Sequence, residues 1–176
     1  MRAYKHFMYT KLHEIIGPIH LPKYVQNLPL SFVYSLDVGA LIAQLADPTY
    51  SSKVFNQAYN LAFKETITLK DLYTSIGKWL KHGETKFDES DDAHLIHGFP
   101  SVTRGPVDIG KAETVLNWSP TGVETALSAV CGFYEQMQYS SEYKFILDRV
   151  LDKLEVRGDK YRDFIELHYR NLKQEL

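Results

Sequence analysis

The sequence predicts an α/β fold with a small, partly mixed sheet and more helix than strand. Residues 30–35 and 54–62 are rich in aromatic and apolar side chains, a composition typical of short strands. A segment with apolar residues at helical spacing follows each of them. With 176 residues, 44% of them hydrophobic, the chain can bury one sizeable core. We expect a main domain over residues 1–138 and a helical extension over residues 139–176.

The helix predicted after the first strand has Asp37 at the N-cap position. Aspartate suits this position because its carboxylate accepts a hydrogen bond from an unpaired N–H of the first turn. Leu41 and Leu45 give this helix its apolar face. Pro48 ends it, because proline disfavours the helical conformation of the residue before it.

Three further caps define the helices that follow. Thr68 with Asp71 has the spacing of a capping box and opens a helix that Gly83 closes. Asp108 is placed to cap a short helix that ends before Pro120. Thr121 with Glu124 gives another capping box. Helices are therefore predicted from these three points, and Trp79 and Trp118 are expected to be core aromatic residues.

Two amphipathic helical segments are predicted near the carboxyl end. They cover residues 143–154 and 160–172 and are separated by Gly158. Such a helical hairpin either packs on the main domain or serves as a dimerisation arm, since its apolar stripe can be buried in both ways.

Composition excludes several classes of protein. The formal net charge is -2 without a block of like charges, so no nucleic-acid partner is expected. No apolar run approaches the roughly 20 residues that span a membrane. Cys131 is the only cysteine, so an internal disulfide cannot form, and the expected location is the reducing cytoplasm. We expect Cys131 to be a buried, unreactive thiol.

Three blocks in the middle of the chain resemble blocks of one known protein family. Residues 31–38 read Ser-Phe-Val-Tyr-Ser-Leu-Asp-Val, similar to a block written f-v-y-v-x-D-v. Residues 54–72 are similar to a vyNig…itlkel block, and residues 107–120 to a D-x-s-K-A…L-G-W-x-P block. With the helix after Thr121, which matches a terminal helix, these blocks follow over residues 28–138 the order found in the extended short-chain dehydrogenases/reductases, the NAD-dependent epimerase/dehydratase family, which this part of the chain therefore resembles. Residues 1–27 fit only as the connection entering this half.

The resemblance implies an α/β substrate-binding half without its cofactor half. In the family, an amino-terminal Rossmann domain holds NAD or NADP with a G-x-x-G-x-x-G turn and supplies a catalytic Tyr-x-x-x-Lys pair. The ten glycines of this chain never take that spacing, and Lys11 has Phe7 four residues before it instead of a tyrosine. We therefore expect no cofactor site and no catalytic residue in this chain.

The resemblance also indicates where a substrate would bind. Family members often grip a nucleotide-sugar pyrophosphate with two arginines, but the matching positions here hold Leu30-Ser31 and a residue near Gly98. Arg104 is the nearest anion-binding candidate, with an ordinary surface ion pair as its other interpretation. Tyr34 on the first strand faces either the substrate cleft or the core. Tyr34 and Arg104 are the predicted substrate-binding residues.

A metal site is not predicted. His94 and His97 are three residues apart and have three aspartates nearby, but they lie in a polar loop with no second ligand cluster at a defined distance. Zinc normally needs three or four fixed ligands. The three aspartates are Asp88, Asp91 and Asp92.

Two functions follow from these observations. In the first, the chain is the substrate-binding part of an NAD-dependent sugar epimerase/dehydratase-like oxidoreductase, inactive by itself and specific for a small-molecule or nucleotide-sugar substrate. In the second, it is a free-standing protein-interaction module that uses the former substrate face or the carboxyl-terminal helices. Its partner would then be a second copy of the chain or another protein, because an exposed apolar face normally recruits one.

Overall fold

A computed structural model describes residues 2–47, 54–89 and 106–137, together with Ser140 and Arg149. The described residues form six helices and four two-residue strands, which confirms a mixed α/β fold. In chain order the elements are α1 (Arg2–Ile16), β1 (Ile19–His20), α2 (Lys23–Gln26), β2 (Pro29–Leu30), α3 (Ser35–Leu45), β3 (Ile67–Thr68), α4 (Leu69–Trp79), β4 (Phe87–Asp88), α5 (Gly110–Leu116) and α6 (Val123–Met137).

The strands pair as two separate two-stranded sheets. β1 lies parallel to β4, with Ile19 opposite Phe87. β2 lies antiparallel to β3, with Leu30 opposite Ile67. Parallel and antiparallel pairing both occur, as predicted, but the described strands do not join into a single sheet.

Both predicted strands are wrong in extent. The first keeps only Leu30 in β2, and the chain enters α3 at Ser35. The second predicted strand, over residues 54–62, is absent. Side-chain hydrogen bonds, and not the backbone hydrogen bonds of a β-ladder, connect this segment to the rest of the protein. Asn56 takes a left-handed conformation with φ 58°, which interrupts an extended run. The Asn60 amide then donates to the backbone carbonyl of Asp108 at 3.1 Å.

The helix boundaries follow the local signals more closely. The Thr68–Asp71 capping box is confirmed in both of its hydrogen bonds. α4 has Leu80 at its C-cap and so ends before Gly83, where its end was predicted, because Lys81 takes a left-handed conformation with φ 57°. The Thr68 hydroxyl and backbone N–H both bond the Asp71 carboxylate and lower its pKa. At the end of α5, Asn117 is left-handed with φ 53°, and the Trp118 N–H returns to the Ala112 carbonyl, a pattern typical of a Schellman cap.

The main core is built around α1, which the sequence interpretation treated as a connecting segment. Tyr4 and every residue from His6 to His13 are buried. α1 packs against α4 and α6, and those two helices also pack against each other. A helix covered on several sides buries polar as well as apolar residues. The fully buried large side chains of this core include Tyr4, Phe7, Met8, Leu12 and Tyr73.

A second, smaller core joins α3 to α5. Leu41 of α3 packs with Ala112 and Leu116 of α5 and with Trp118. The Trp118 indole N–H donates to the Ala62 carbonyl at 2.9 Å, so the buried ring keeps its polar atom satisfied. Trp118 is therefore a core residue, as predicted, and the half-buried Trp79 packs against the main core. The predicted helices over residues 143–154 and 160–172 lie outside the described residues.

Candidate functional site

The backbone around Tyr34 is fixed on both sides. Leu30 precedes it in the β2–β3 pair, and the carbonyl of Phe32 accepts a hydrogen bond from the Phe63 N–H at 2.7 Å. Tyr34 is the N-cap residue of α3 and has an extended conformation. A sheet and a helix therefore anchor the backbone of this short segment on either side of Tyr34.

An apolar pocket of about 70 Å³ lies beside Tyr34. Val33 also lines it and is 44% exposed, so the pocket reaches the protein surface there. None of the lining residues carries a charge. Their side chains come from α1, the segment after β2, the segment leading into β3, β3 itself, α4 and α6. The aromatic members are Phe7, Phe32, Tyr34, Phe63 and Tyr134, and the aliphatic members include Ile67, Leu72, Ile76, Leu127 and Val130.

Cys131 forms part of the pocket wall and is buried, as the sequence interpretation predicted. Burial, with a further contribution from the Glu135 carboxylate, raises the pKa of its thiol to about 12. Since the thiolate is the nucleophilic form, Cys131 is a neutral packing group at neutral pH. The Cys131 thiol therefore adds no reactive group to the mostly apolar wall of the pocket.

A hydrogen-bonded histidine and tyrosine lie deeper in the same core. The His6 Nδ1 and Tyr73 hydroxyl oxygen are 2.7 Å apart, and the two rings meet edge to face. Burial is the main cause that raises the pKa of Tyr73, and Tyr9 adds to it. Both side chains of the pair are buried, so the pair stabilises the contact between α1 and α4.

Lys11 of α1 forms the most buried ion pair of the described region. Its ammonium lies 3.0 Å from both carboxylate oxygens of Glu135 on α6. The Lys11 side chain is 5% exposed and that of Glu135 is 41% exposed. Burial lowers the pKa of Lys11, while the Glu135 carboxylate acts in the opposite direction. This pair ties α1 to α6 close to Cys131.

These α1 residues were missed because residues 1–27 were treated as a connection. A signal for the helix was present: Tyr4, Met8 and Leu12 stand at i, i+4 and i+8, the spacing of one helix face. The burial of His6 and Lys11 had no comparable signal. Both depend on partners in α4 and α6 that are more than 60 residues away in sequence.

Asp37 links α3 to the start of α6. It lies in the first turn of α3, not at the N-cap as predicted, because the helix begins at Ser35. Its carboxylate accepts hydrogen bonds from the Thr121 N–H at 2.9 Å and from the Thr121 hydroxyl at 2.7 Å. Thr121 was predicted to cap the last described helix, but its hydroxyl donates to Asp37 and the helix begins at Val123.

Asp108 lies one residue before the N-cap of α5, which is Ile109, and not at the cap itself as predicted, but it still bonds the start of that helix. Its carboxylate accepts a hydrogen bond from the backbone N–H of Gly110 at 2.8 Å. Gly110 is the first residue of α5. Asp108 therefore satisfies a donor at the amino end of this helix.

The polar residues around β4 do not assemble a metal site. Asp88 lies 3.3 Å from His20 Nδ1, across the parallel β1–β4 pair. Among the residues that the structure describes, no group of three or more histidine, cysteine or acidic side chains could hold a metal ion. His94, His97, Asp91 and Asp92 lie outside that region.

The second predicted substrate-binding residue, Arg104, also lies outside the described residues. A Tyr-x-x-x-Lys spacing does occur in this chain, at Tyr169 and Lys173. They follow the substrate-half blocks, whereas the family's catalytic pair precedes them, and they too lie outside the described residues.

The described strand-to-helix junctions do not fit a dinucleotide pyrophosphate. The residues that join β1, β2 and β3 to the helices after them include no glycine, although glycine is what lets the pyrophosphate approach a helix amino end. α4 follows β3 directly, and its first turn carries Asp71. The lowered pKa of Asp71 keeps that carboxylate charged, so it would repel a phosphate.

No family model, curated protein or solved structure matches this chain. None of the described helices is both long enough and apolar enough to span a membrane.

Proposed function

We propose that this chain is the substrate-binding part of an NAD-dependent epimerase/dehydratase-like oxidoreductase and does not bind the nicotinamide cofactor by itself. Such an enzyme moves a hydride between NAD or NADP and a hydroxyl or keto carbon of its substrate. The chain would supply the substrate pocket, and a Rossmann domain would supply the cofactor and the catalytic pair.

The main support is that the sequence blocks carrying the resemblance bond to one another. Asp37 of the first block accepts two hydrogen bonds from Thr121, which directly follows the third block. Asn60 and Ala62 of the second block bond Asp108 and Trp118 of the third. Blocks that are far apart in sequence thus form one connected unit.

The pocket beside Tyr34 gives this unit a place for a substrate. Ligand sites are concave, mostly apolar and furnished with few polar groups, and this pocket has those properties. Tyr34, which the sequence interpretation selected for substrate binding, lines it. The absence of charged side chains from its wall favours an uncharged part of a substrate over a sugar-linked pyrophosphate.

The direct experiment is a calorimetric titration of the purified chain with NAD+, NADP+ and their reduced forms, with nicotinamide fluorescence as a second signal. We expect no saturable binding at micromolar concentrations, because the chain has no glycine turn for the pyrophosphate. Saturable micromolar binding would contradict the proposal, since this chain would then hold a cofactor site of its own.

A second experiment maps the transcript and its genomic surroundings. We expect an encoded Rossmann domain with the glycine turn and the Tyr-x-x-x-Lys pair, in the same reading frame or in a separate subunit that co-purifies. A source organism that encodes neither arrangement would count against the proposal.

An exposed apolar surface on α3 favours the second candidate function, a protein-interaction module. Leu36 is 67% exposed and Ile42 is 63% exposed, and Asp37 is the only charged residue of this helix. Light scattering of the wild type and of Leu36→Ser/Ile42→Ser over a range of concentrations tests this function. A dimer that the double substitution converts to a monomer would support it, and a wild-type monomer at all concentrations would exclude self-association.

A further inference from the structure

We propose that the apolar pocket beside Tyr34 binds the branched alkyl group of an uncharged small molecule that carries a hydroxyl or keto group. This inference rests on the proposed function and names the substrate class of the same site. It replaces the nucleotide sugar that the family resemblance suggested.

The size of the pocket limits what it can hold. A cavity of about 150 Å³ lined by leucine, isoleucine and phenylalanine takes up benzene. The present pocket, at about 70 Å³, is roughly half as large. It suits a branched alkyl group of a few carbons and is too small for a nucleotide. Because it reaches the surface at Val33, the rest of the ligand can extend outwards.

The chemistry of the wall excludes charge. Phenylalanine and aliphatic side chains provide most of the surface, and the Cys131 thiol remains protonated because burial raises its pKa to about 12. Moving a carboxylate or phosphate into such surroundings without a partner costs several kcal/mol. Binding of an uncharged alkyl group is instead favourable, because the free energy falls as its apolar surface leaves water.

Tyr34 lines the pocket and carries a hydroxyl group. No described residue hydrogen-bonds its hydroxyl. A tyrosine hydroxyl can donate to a carbonyl or accept from a hydroxyl. A ligand that combines an alkyl group with one such oxygen therefore matches both the wall and Tyr34.

The test uses 3-methyl-2-butanone as the probe and NMR titration of the isotope-labelled chain as the measurement. The probe has an isopropyl group next to a carbonyl, and isobutyrate has the same isopropyl group next to a carboxylate. We expect saturable shifts of Ile67, Leu72 and Val130 with the ketone, at about millimolar affinity because a ligand of six non-hydrogen atoms offers limited contact. Isobutyrate should bind at least tenfold more weakly, and UDP-glucose should not shift these residues.

Substitutions that fill or enlarge the pocket, with one surface control, locate the binding. Val130→Phe fills the pocket and should abolish ketone binding, whereas Val115→Phe, the same change on the outer surface of α5, should leave it unaltered. Cys131→Ala enlarges the pocket and should shift the preference towards 4-methyl-2-pentanone. Far-UV circular dichroism checks the fold of each variant, and Ala126→Leu replaces Val130→Phe if that variant does not fold.

Besides an absence of ketone binding, three outcomes would overturn the inference. They are equal binding of isobutyrate and ketone, shifts that do not saturate or that survive a folded pocket-filling variant, and a wild-type dimer that this variant converts to a monomer. The last result would mean that a second copy of the chain occupies the pocket. Ketone binding together with micromolar NAD binding would refute the proposed function but not the ligand class. Absence of both ketone binding and NAD binding would refute the ligand class and leave the proposed function standing.

Discussion

Gly77 lies inside α4 with Thr85 packed against it, so its replacement by alanine should reveal how tightly this part of the core is built. A Cβ on Gly77 would overlap the Thr85 hydroxyl oxygen, while its next neighbours, Thr10 Cγ2 and Thr85 Cβ, would lie at 3.7 and 3.8 Å. Those two distances are ordinary contacts. The overlap with the buried Thr85 hydroxyl is therefore the main obstacle.

Two effects of opposite sign determine the result. Alanine is about 1 kcal/mol better than glycine inside a helix, whereas overpacking a well-packed core costs about 1–3 kcal/mol. We expect Gly77→Ala to lower the free energy of unfolding by up to about 2 kcal/mol. In a Thr85→Ala background the overlap is absent, so the same change should raise the free energy of unfolding by about 1 kcal/mol.

Urea unfolding of the wild type, Gly77→Ala, Thr85→Ala and the double variant, followed by circular dichroism, measures the effect of Gly77→Ala in both backgrounds. Gly39→Ala in α3 is the matched control, because a Cβ there meets no atom within 4 Å, and it should stabilise the protein in either background. If Gly77→Ala stabilises the wild type as much as Gly39→Ala does, a Cβ at Gly77 does not overlap Thr85. A change of equal sign and size in both Thr85 backgrounds would refute the overlap as well.

Three further substitutions test individual contacts by the same unfolding assay. Asp37→Ala should lower the free energy of unfolding by about 2 kcal/mol, because two hydrogen bonds to a charged acceptor are lost. A double-mutant cycle with Thr121→Val should give a coupling energy above about 0.5 kcal/mol. Additive effects of the two substitutions would exclude the contact. Glu135→Gln should cost about 1–2 kcal/mol, less than a fully buried pair, since Glu135 is 41% exposed, and a loss near zero would mean that Lys11 does not need this partner. The pKa of the Cys131 thiol is about 12 in the folded chain against 9.0 for a free thiol, so the stabilising contribution of the neutral thiol is complete below pH 9.0 and is lost as the pH rises towards 12. When the pH is raised from about 8 to about 10.5, Cys131→Ala should therefore lose less stability than the wild type. Equal losses in the two proteins would contradict the raised pKa.

The capped helices could be predicted from sequence because their signals are local. The Thr68–Asp71 capping box forms within three residues, and Asp108 bonds a residue two positions ahead. Neither bond requires a distant partner. Asp37 shows the limit of such signals, because an aspartate near a helix start is equally able to bond Thr121, which is 84 residues away.

The candidate site was predictable only in part. Tyr34 was selected from its sequence block and does line a pocket, but alternation along a strand left its direction open, and the expected strand ends at Leu30. Most other members of the pocket, such as Phe7 and Val130, come from helices that no local pattern brings together. Their convergence depends on how α1, α4 and α6 pack.

The sequence by itself determined the mixed α/β class, the positions of α4, α5 and most of α3 and α6, and the buried state of Cys131. It could do so because helix propensity, capping and hydrophobic periodicity act over a few residues. Only the tertiary structure decided that α1 is the centre of the core, that the strands shorten to two residues, and that Lys11 meets Glu135 across 124 positions of sequence. These features depend on long-range packing, in which a burial cost at one residue is offset by a partner that the local sequence does not specify.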